Sequence, residues 1–199
     1  MTQQEAFDYM DLLLDKADQP YFLDTEKEKF LLLASYEYVN IYYPTFGVNQ
    51  SSRDKLRSFI KTDQIQDVSD EVGGTSISDY YHLISVNHSE DSTNFYKAEI
   101  LSSEEFMSRI NNTDPFKKTD VNNPVATIED DELLVSPPTT ANGKVEIKYI
   151  TDPKAVIGSI EDLNEGQALE IIKIAIRIMG ASIESSNYEV FDNEVKTNM

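Results

Sequence analysis

The chain has 199 residues, and 17 Lys+Arg against 36 Asp+Glu give a net charge of −19 at neutral pH and a pI near 4.3. So large an acidic excess removes the electrostatic footprint of a protein that grips nucleic-acid backbones or anionic lipid. With no cysteine there are no disulfides, thiolate metal sites or thiol chemistry, while 40% apolar and 10% aromatic residues suffice for a core. The start Met1-Thr2-Gln3-Gln4-Glu5 lacks the basic region of a signal peptide. The longest nearly apolar run, around Leu169–Met179, is broken by Lys173 and Arg177. A soluble, acidic globular protein without a membrane span is expected.

In chain order, Ala6, Phe7, Met10, Leu13, Leu14 and Ala17 recur at helical spacing opposite Gln4, Asp8, Asp11 and Asp15. They predict a helix over 2–17, with Thr2 and Glu5 as a capping box and Pro20 as its stop. A second helix is predicted from about Asp24, capped by Thr25 and Glu28. Its apolar residues, Phe30 to Ala34, Tyr36, Tyr38, Val39, Ile41 and Tyr42, cover most of the circumference, so it must be buried on more than one side. Ser51 and Ser52 are read as opening a short third helix to about Lys61, with Leu56, Phe59 and Ile60 inside and Arg53, Lys55, Arg57 and Lys61 outside.

Past the Gly73-Gly74 break, alternation over Tyr80–Val86 predicts a strand. The polar stretch Asn87–Asn94 is read as a hairpin loop, and Phe95–Leu101 as the returning strand. Ser102 and Glu105 cap a short helix carrying Phe106, Met107 and Ile110. Three further strands are predicted at Val125–Ile128, Glu132–Val135 and Val145–Ile150, punctuated by Pro137-Pro138 and Asn142-Gly143, with Pro153 ending the last. From about Asn164 to Ser182 a helix returns, its polar stripe narrowed to Gly166, Glu170, Lys173 and Arg177. The predicted architecture is one α+β domain over 1–184, without internal repeats: a helical module (1–63 and 160–184), a small antiparallel sheet module inserted over 64–159, and a loose polar arm over 185–199.

Chemistry has little to work with. His82 lies on a strand face, where a satisfied, partly buried imidazole is the ordinary outcome, and His88 lies in a polar stretch where it should be solvated. No nucleophile elbow, zinc helix, Walker A loop or dinucleotide fingerprint is present. Neither a catalytic residue nor a cofactor or metal site is therefore assigned. Glu129-Asp130-Asp131-Glu132 offers carboxylates to Ca²⁺ but lacks the spacing of a calcium loop, and a charged hairpin tip explains it as well. The basic residues Arg53, Lys55, Arg57 and Lys61, with Lys117-Lys118, are either a solvated face or a patch meeting acid on a neighbouring copy. The strongest signal is surplus apolar helix surface at 26–43 and 164–182, which either closes on itself or packs against another chain. Tyr36, Tyr42, Leu169, Ile172, Ile176 and Met179 are assigned to core or inter-subunit packing, without a choice between the two.

Three stretches carry a resemblance. The opening Phe7-x-x-Met10-x-x-Leu13-Leu14-Asp15-Lys16-Ala17-Asp18-Gln19-Pro20-Tyr21-Phe22 is the first. The second is Asn123-Pro124-Val125, Asp131-Glu132-Leu133-Leu134-Val135-x-Pro137 and Val145-x-Ile147-x-Tyr149-Ile150-x-x-Pro153. The third is Asn164-Glu165 leading into the Ile-rich helix and Ile183-Glu184-Ser185-Ser186. Together they resemble the head–tail connector ring proteins of tailed, crAss-like bacteriophages. The resemblance covers most of the chain as layout and short phrases; the Asn87–Asn94 loop and the polar C-terminus depart from it. It implies a non-enzymatic virion protein, a homo-oligomeric and commonly twelve-fold ring between the portal protein and neighbouring tail proteins. Assembled in the bacterial host cytoplasm, such a ring would let DNA pass through its lumen without specific binding. An acidic carbohydrate- or calcium-binding module using Glu129–Glu132 and the Asn87–Asn94 loop is the alternative, and a carboxylate-based hydrolase a third reading.

Overall fold

The computed structural model describes residues 1–15, 22–66, 68, 75–114, 118–130, 132–139, 143–157 and 160–197, with side chains as far as Ser182. The fold is α+β. It divides into two compact units, a helical one from residues 1–59 and 153–199 and a β unit from 60–152. The expected module boundaries stood at 63/64 and 159/160.

In the helical unit, α1 (Gln3–Asp15) and α2 (Asp24–Tyr42) precede α3 (Gln50–Leu56), a 3-10 turn (Arg57–Phe59), α5 (Pro153–Ile157) and α6 (Glu165–Thr197). The α1 start follows from its capping box: the Glu5 amide donates to Thr2 Oγ1 (3.2 Å) and the Thr2 amide to Glu5 Oε2 (2.8 Å). Its buried stripe is Ala6, Phe7, Met10 and Leu14; Pro20 and Ala17 lie outside the described residues. The start of α2 differs from the Thr25–Glu28 box. Glu26 Oε2 accepts from the Leu23 amide at 2.9 Å, because the helix begins one residue before Thr25. For α3 the cap is Asn49, whose side chain accepts from the Ser51 amide, while Ser52 is buried against Thr45 Oγ1 at 2.7 Å. Asn164 and Gln167 form a reciprocal cap for α6 (2.9 and 3.1 Å). Its backbone is helical through Thr197, beyond the expected end near Ser182 and through the stretch read as a polar arm. The core joins Leu31, Ala34, Tyr38 and Val39 of α2 to Ala168, Ile171, Ile172, Ala175 and Met179 of α6.

Among its described residues the β unit contains two four-stranded sheets and one helix. Strands β1 (Ile60–Ile65), β8 (Lys144–Thr151), β3 (Tyr80–Ser89) and β4 (Tyr96–Lys97) are antiparallel in the order β1-β8-β3-β4. The second sheet runs β2 (Thr75–Ser76), β7 (Glu132–Ser136), β6 (Val125–Glu129), β5 (Glu99–Ile100), with β5 parallel to β6. Val86, Val145, Ile147 and Tyr149 from the first sheet share one core with Ala126, Leu133 and Val135 from the second. Helix α4 (Ser103–Ile110), capped by Ser102 and Glu105, covers the other face of the second sheet by packing Phe106 on Val125 and Leu134. Two-residue alternation sends neighbours on β6 and β7 to opposite faces, so each strand serves both cores.

Three expectations fail here for one physical reason: cross-strand pairing overrides local pattern. The third helix does not reach Lys61, because Ile60 and Lys61 pair with Ile150 and Tyr149 as the start of β1. The Asn87–Asn94 loop is shorter than read, since Asn87, His88 and Ser89 pair with Glu146, Val145 and Lys144. Phe95–Leu101 is not one strand. At Ala98, whose amide donates to the Val86 carbonyl, the chain leaves the first sheet and joins the second. Strands β6, β7 and β8 lie within a residue of their predicted bounds, while the two-residue β2 has no counterpart in the sequence reading.

Candidate functional site

Surplus apolar surface is concentrated on α2, not α6. On α6 every large apolar residue up to Met179 is buried or half-buried, so the closing helix hides its face within the chain. On α2, Leu33 and Ile41 are 53% and 46% exposed. They flank Glu37 at i, i+4, i+8 spacing, which makes one line along the helix. Arg177 of α6 donates to the Glu37 carboxylate across that line. Beside it, Ile41, Tyr42, Glu170, Lys173, Ile174 and Arg177 enclose an open cleft of about 210 Å³. The β unit carries its own exposed apolar residues at two sheet edges and on the adjoining helix: Tyr96 on β4, Ile100 on β5 and Met107 on α4. An edge strand presents unpaired backbone donors and acceptors as well.

The residues assigned to packing now separate. Ile172 and Met179 are fully buried and belong to the core, whereas Tyr36, Tyr42, Leu169 and Ile176 are half-buried. Tyr42 has a second task. Its hydroxyl donates to Glu170 Oε1 (2.5 Å) and accepts from Lys55 Nζ (2.7 Å), and the ammonium also reaches both Glu170 oxygens at 2.7 and 2.9 Å. The ammonium stands 4.3 Å from the Tyr42 ring centroid. Two further bonds hold the Lys55 backbone carbonyl: from Tyr38 Oη at 3.0 Å and from Gln167 Nε2 at 2.6 Å. Burial pulls the Glu170 carboxyl upward, but the Lys55 and Tyr42 hydrogen bonds outweigh it and hold it below its ordinary value. The same bonds hold the Lys55 ammonium above its ordinary value against its own burial. Both charges are thus locked in their ionised forms, far from the neutral range where a general acid or base works best. This cluster staples α2, α3 and α6 together.

Lys55 is therefore committed within its own unit. Arg53 donates to the Phe46 and Gly47 carbonyls (2.9 and 2.6 Å) and caps the turn before α3. Arg57 is exposed on the 3-10 turn, and Lys61 lies on β1 in the other unit, 3.7 Å from Asp79. The four basic residues do not share one helix face. Lys117 lies outside the described residues.

Lys27 is a charge that periodicity does not mark as special. It is 4% exposed in the helical unit, where its ammonium bridges Asp11 (2.7 Å) and Asp24 (3.1 Å) and tops the Phe7 ring. Its spacing of three from Asp24 is the only signal the sequence offers.

His82 is half-buried beside the Tyr81 ring, as expected of a strand-face imidazole, and burial lowers its pKa. His88 corrects its expectation. It is fully buried, with neither ring nitrogen meeting a partner among the described residues. On β3 it shares a face with Val86, which points into the core, and that parity rather than the polar neighbourhood decides its burial. Glu129 and Glu132 pair across the β6–β7 turn, with Asp130 at φ 48° on its tip; Asp131 lies outside the described residues. Among the described residues no group of three or more His, Asp or Glu side chains is gathered for a metal ion. No helix among them is long and apolar enough to cross a membrane. In comparisons with known proteins, no family model and no curated sequence matches the chain.

Proposed function

We propose that this chain is a structural, non-enzymatic virion protein: a ring-forming adaptor at the head–tail junction of a tailed bacteriophage, extending the DNA channel below the portal. The observation that supports the reading is the exposed pair Leu33 and Ile41 on a helix whose other apolar stripe, Leu31, Ala34, Tyr38 and Val39, is buried. A closed ring needs a heterologous contact, in which one surface of a copy meets a different surface of the next. The chain offers two dissimilar apolar surfaces, the α2 line in its helical unit and the Tyr96–Ile100 edges in its β unit. A net charge of −19 suits a channel wall, because repulsion keeps a passing polyanion from sticking. The phrase-level resemblance to connector rings is what supports the proposed position in the particle.

Sedimentation velocity of the wild type and of the Leu33→Asp/Ile41→Asp double variant tests the contact. Covering the exposed half of each side chain contributes roughly 1 kcal/mol, so the variant should dissociate at least about tenfold more readily while its far-UV circular dichroism still reports a folded chain. A wild-type chain that remains monomeric up to roughly 100 µM, alone and with a purified portal ring, refutes the proposal.

A further inference from the structure

The β unit holds a second concave site, beside the Tyr96 and Ile100 edges. A cavity of about 250 Å³ opens where β4, β5, α4 and the segment before β6 converge, lined chiefly by Lys97, Glu99, Arg109, Lys118, Asn122 and Asn123. Its charge is the reverse of the chain's: three cations against one carboxylate give the lining a net +2 in a molecule of net charge −19. Acid outnumbers base about two to one along this sequence, yet Lys97 and Lys118 form no ion pair among the described residues. Glu99 Oε2 takes one corner of the Arg109 guanidinium at 2.8 Å and orients it, leaving its other N–H groups for a ligand.

Folded elements fix the lining. Arg109 projects from α4, which is anchored by Phe106 and capped by Ser102 and Glu105. The Glu99 amide donates to the Pro124 carbonyl (2.9 Å), tying β5 to the wall that carries Asn122 and Asn123. The backbone amides of those two asparagines donate to Asp120 Oδ1 (2.8 and 2.9 Å), which sets the turn. Ammonium and guanidinium donors around one hollow are the chemistry that holds an oxoanion.

We infer that this cavity binds phosphate, either as the free ion or as the terminal group of a small phosphate monoester. A monoester carries about −1.5 to −2 at pH 7, close to the +2 of the lining, and spreads that charge over three oxygens facing different walls. A carboxylate carries half the charge on two coplanar oxygens and matches the three cations less well.

Isothermal titration calorimetry with inorganic phosphate and with phenyl phosphate, at ionic strength held constant with sodium chloride, tests the inference. Saturable one-site binding is expected, at least about tenfold weaker in the Lys97→Gln/Lys118→Gln variant, whose two side chains are exposed and leave the fold intact. Tighter binding of phenyl phosphate identifies an esterified ligand, and equal or tighter binding of inorganic phosphate the free ion. Silence of both probes up to roughly 10 mM, or equal binding by wild type and variant, overturns the inference. A single-stranded oligonucleotide or an acidic peptide that binds where both probes are silent overturns it too. Because the cavity adjoins the β4 and β5 edges, the titrations are run at a concentration where sedimentation shows a monomer, which keeps their outcome separate from that of the ring reading.

Discussion

Replacing His88 by leucine isolates what a buried imidazole does to this fold. The ring is fully buried between the sheets of the β unit, without a described partner for either nitrogen, and burial lowers its pKa against a smaller opposing pull from Glu90. Leucine has a similar volume, so the exchange removes polarity with little repacking. Relief of the desolvated nitrogens should stabilise the variant by about 1–3 kcal/mol at pH 8, where histidine is neutral in both states. The pH dependence then carries a sign. Below the unfolded value near 6.5 the unfolded chain binds a proton that the folded chain refuses. Wild-type stability therefore falls as pH drops from 6.5 toward the depressed folded value, by up to about 1.4 kcal/mol per pH unit from this group. His82 titrates equally in both proteins and cancels from the difference. Urea unfolding at pH 8.0, 6.5 and 5.5 measures the gap, which should widen as pH falls. A variant less stable than wild type at pH 8, with a gap that stays constant down to pH 5.5, would refute the reasoning.

Two further substitutions probe the other unit and the helix-covered sheet. Glu170→Gln leaves Tyr42 an acceptor but strips the Lys55 ammonium of its counter-charge; with both side chains about a third exposed, a loss of about 1 kcal/mol in urea unfolding is expected at pH 7. Because the folded Glu170 value is depressed, that difference should be present above the ordinary carboxyl range and vanish as pH falls through the folded value. Phe106→Ala opens a hole under α4 and should cost about 3–5 kcal/mol, read as a lower urea midpoint. Faster amide exchange should appear first in α4, β6 and β7, the elements Phe106 joins.

How much was legible depends on where the deciding interaction lies. The α1 and α4 caps, the β6, β7 and β8 strands and the α6 start all rest on residues within a few positions of one another, and the sequence displays them. Where the deciding partner is remote, local reading failed. Lys61 belongs to a strand because Tyr149 lies opposite, and His88 is buried because Val145 and Val86 set its face. The Tyr42–Lys55–Glu170 cluster spans 128 positions, and no spacing rule reaches that far. The cationic cavity gathers single residues from β4, α4 and a turn; only Lys118 stood out, and only as half of a basic pair.

The sequence by itself determined the class of this protein: two runs of 3.6-residue periodicity enclosing a stretch of two-residue alternation, in a strongly acidic chain. Periodicity is a property of neighbours, so it survives without coordinates. Tertiary structure alone decided which apolar residues are spare. Ile172 and Leu33 are equally greasy in sequence, yet one is sealed within its unit and the other faces water, because burial depends on what the rest of the chain brings to each face.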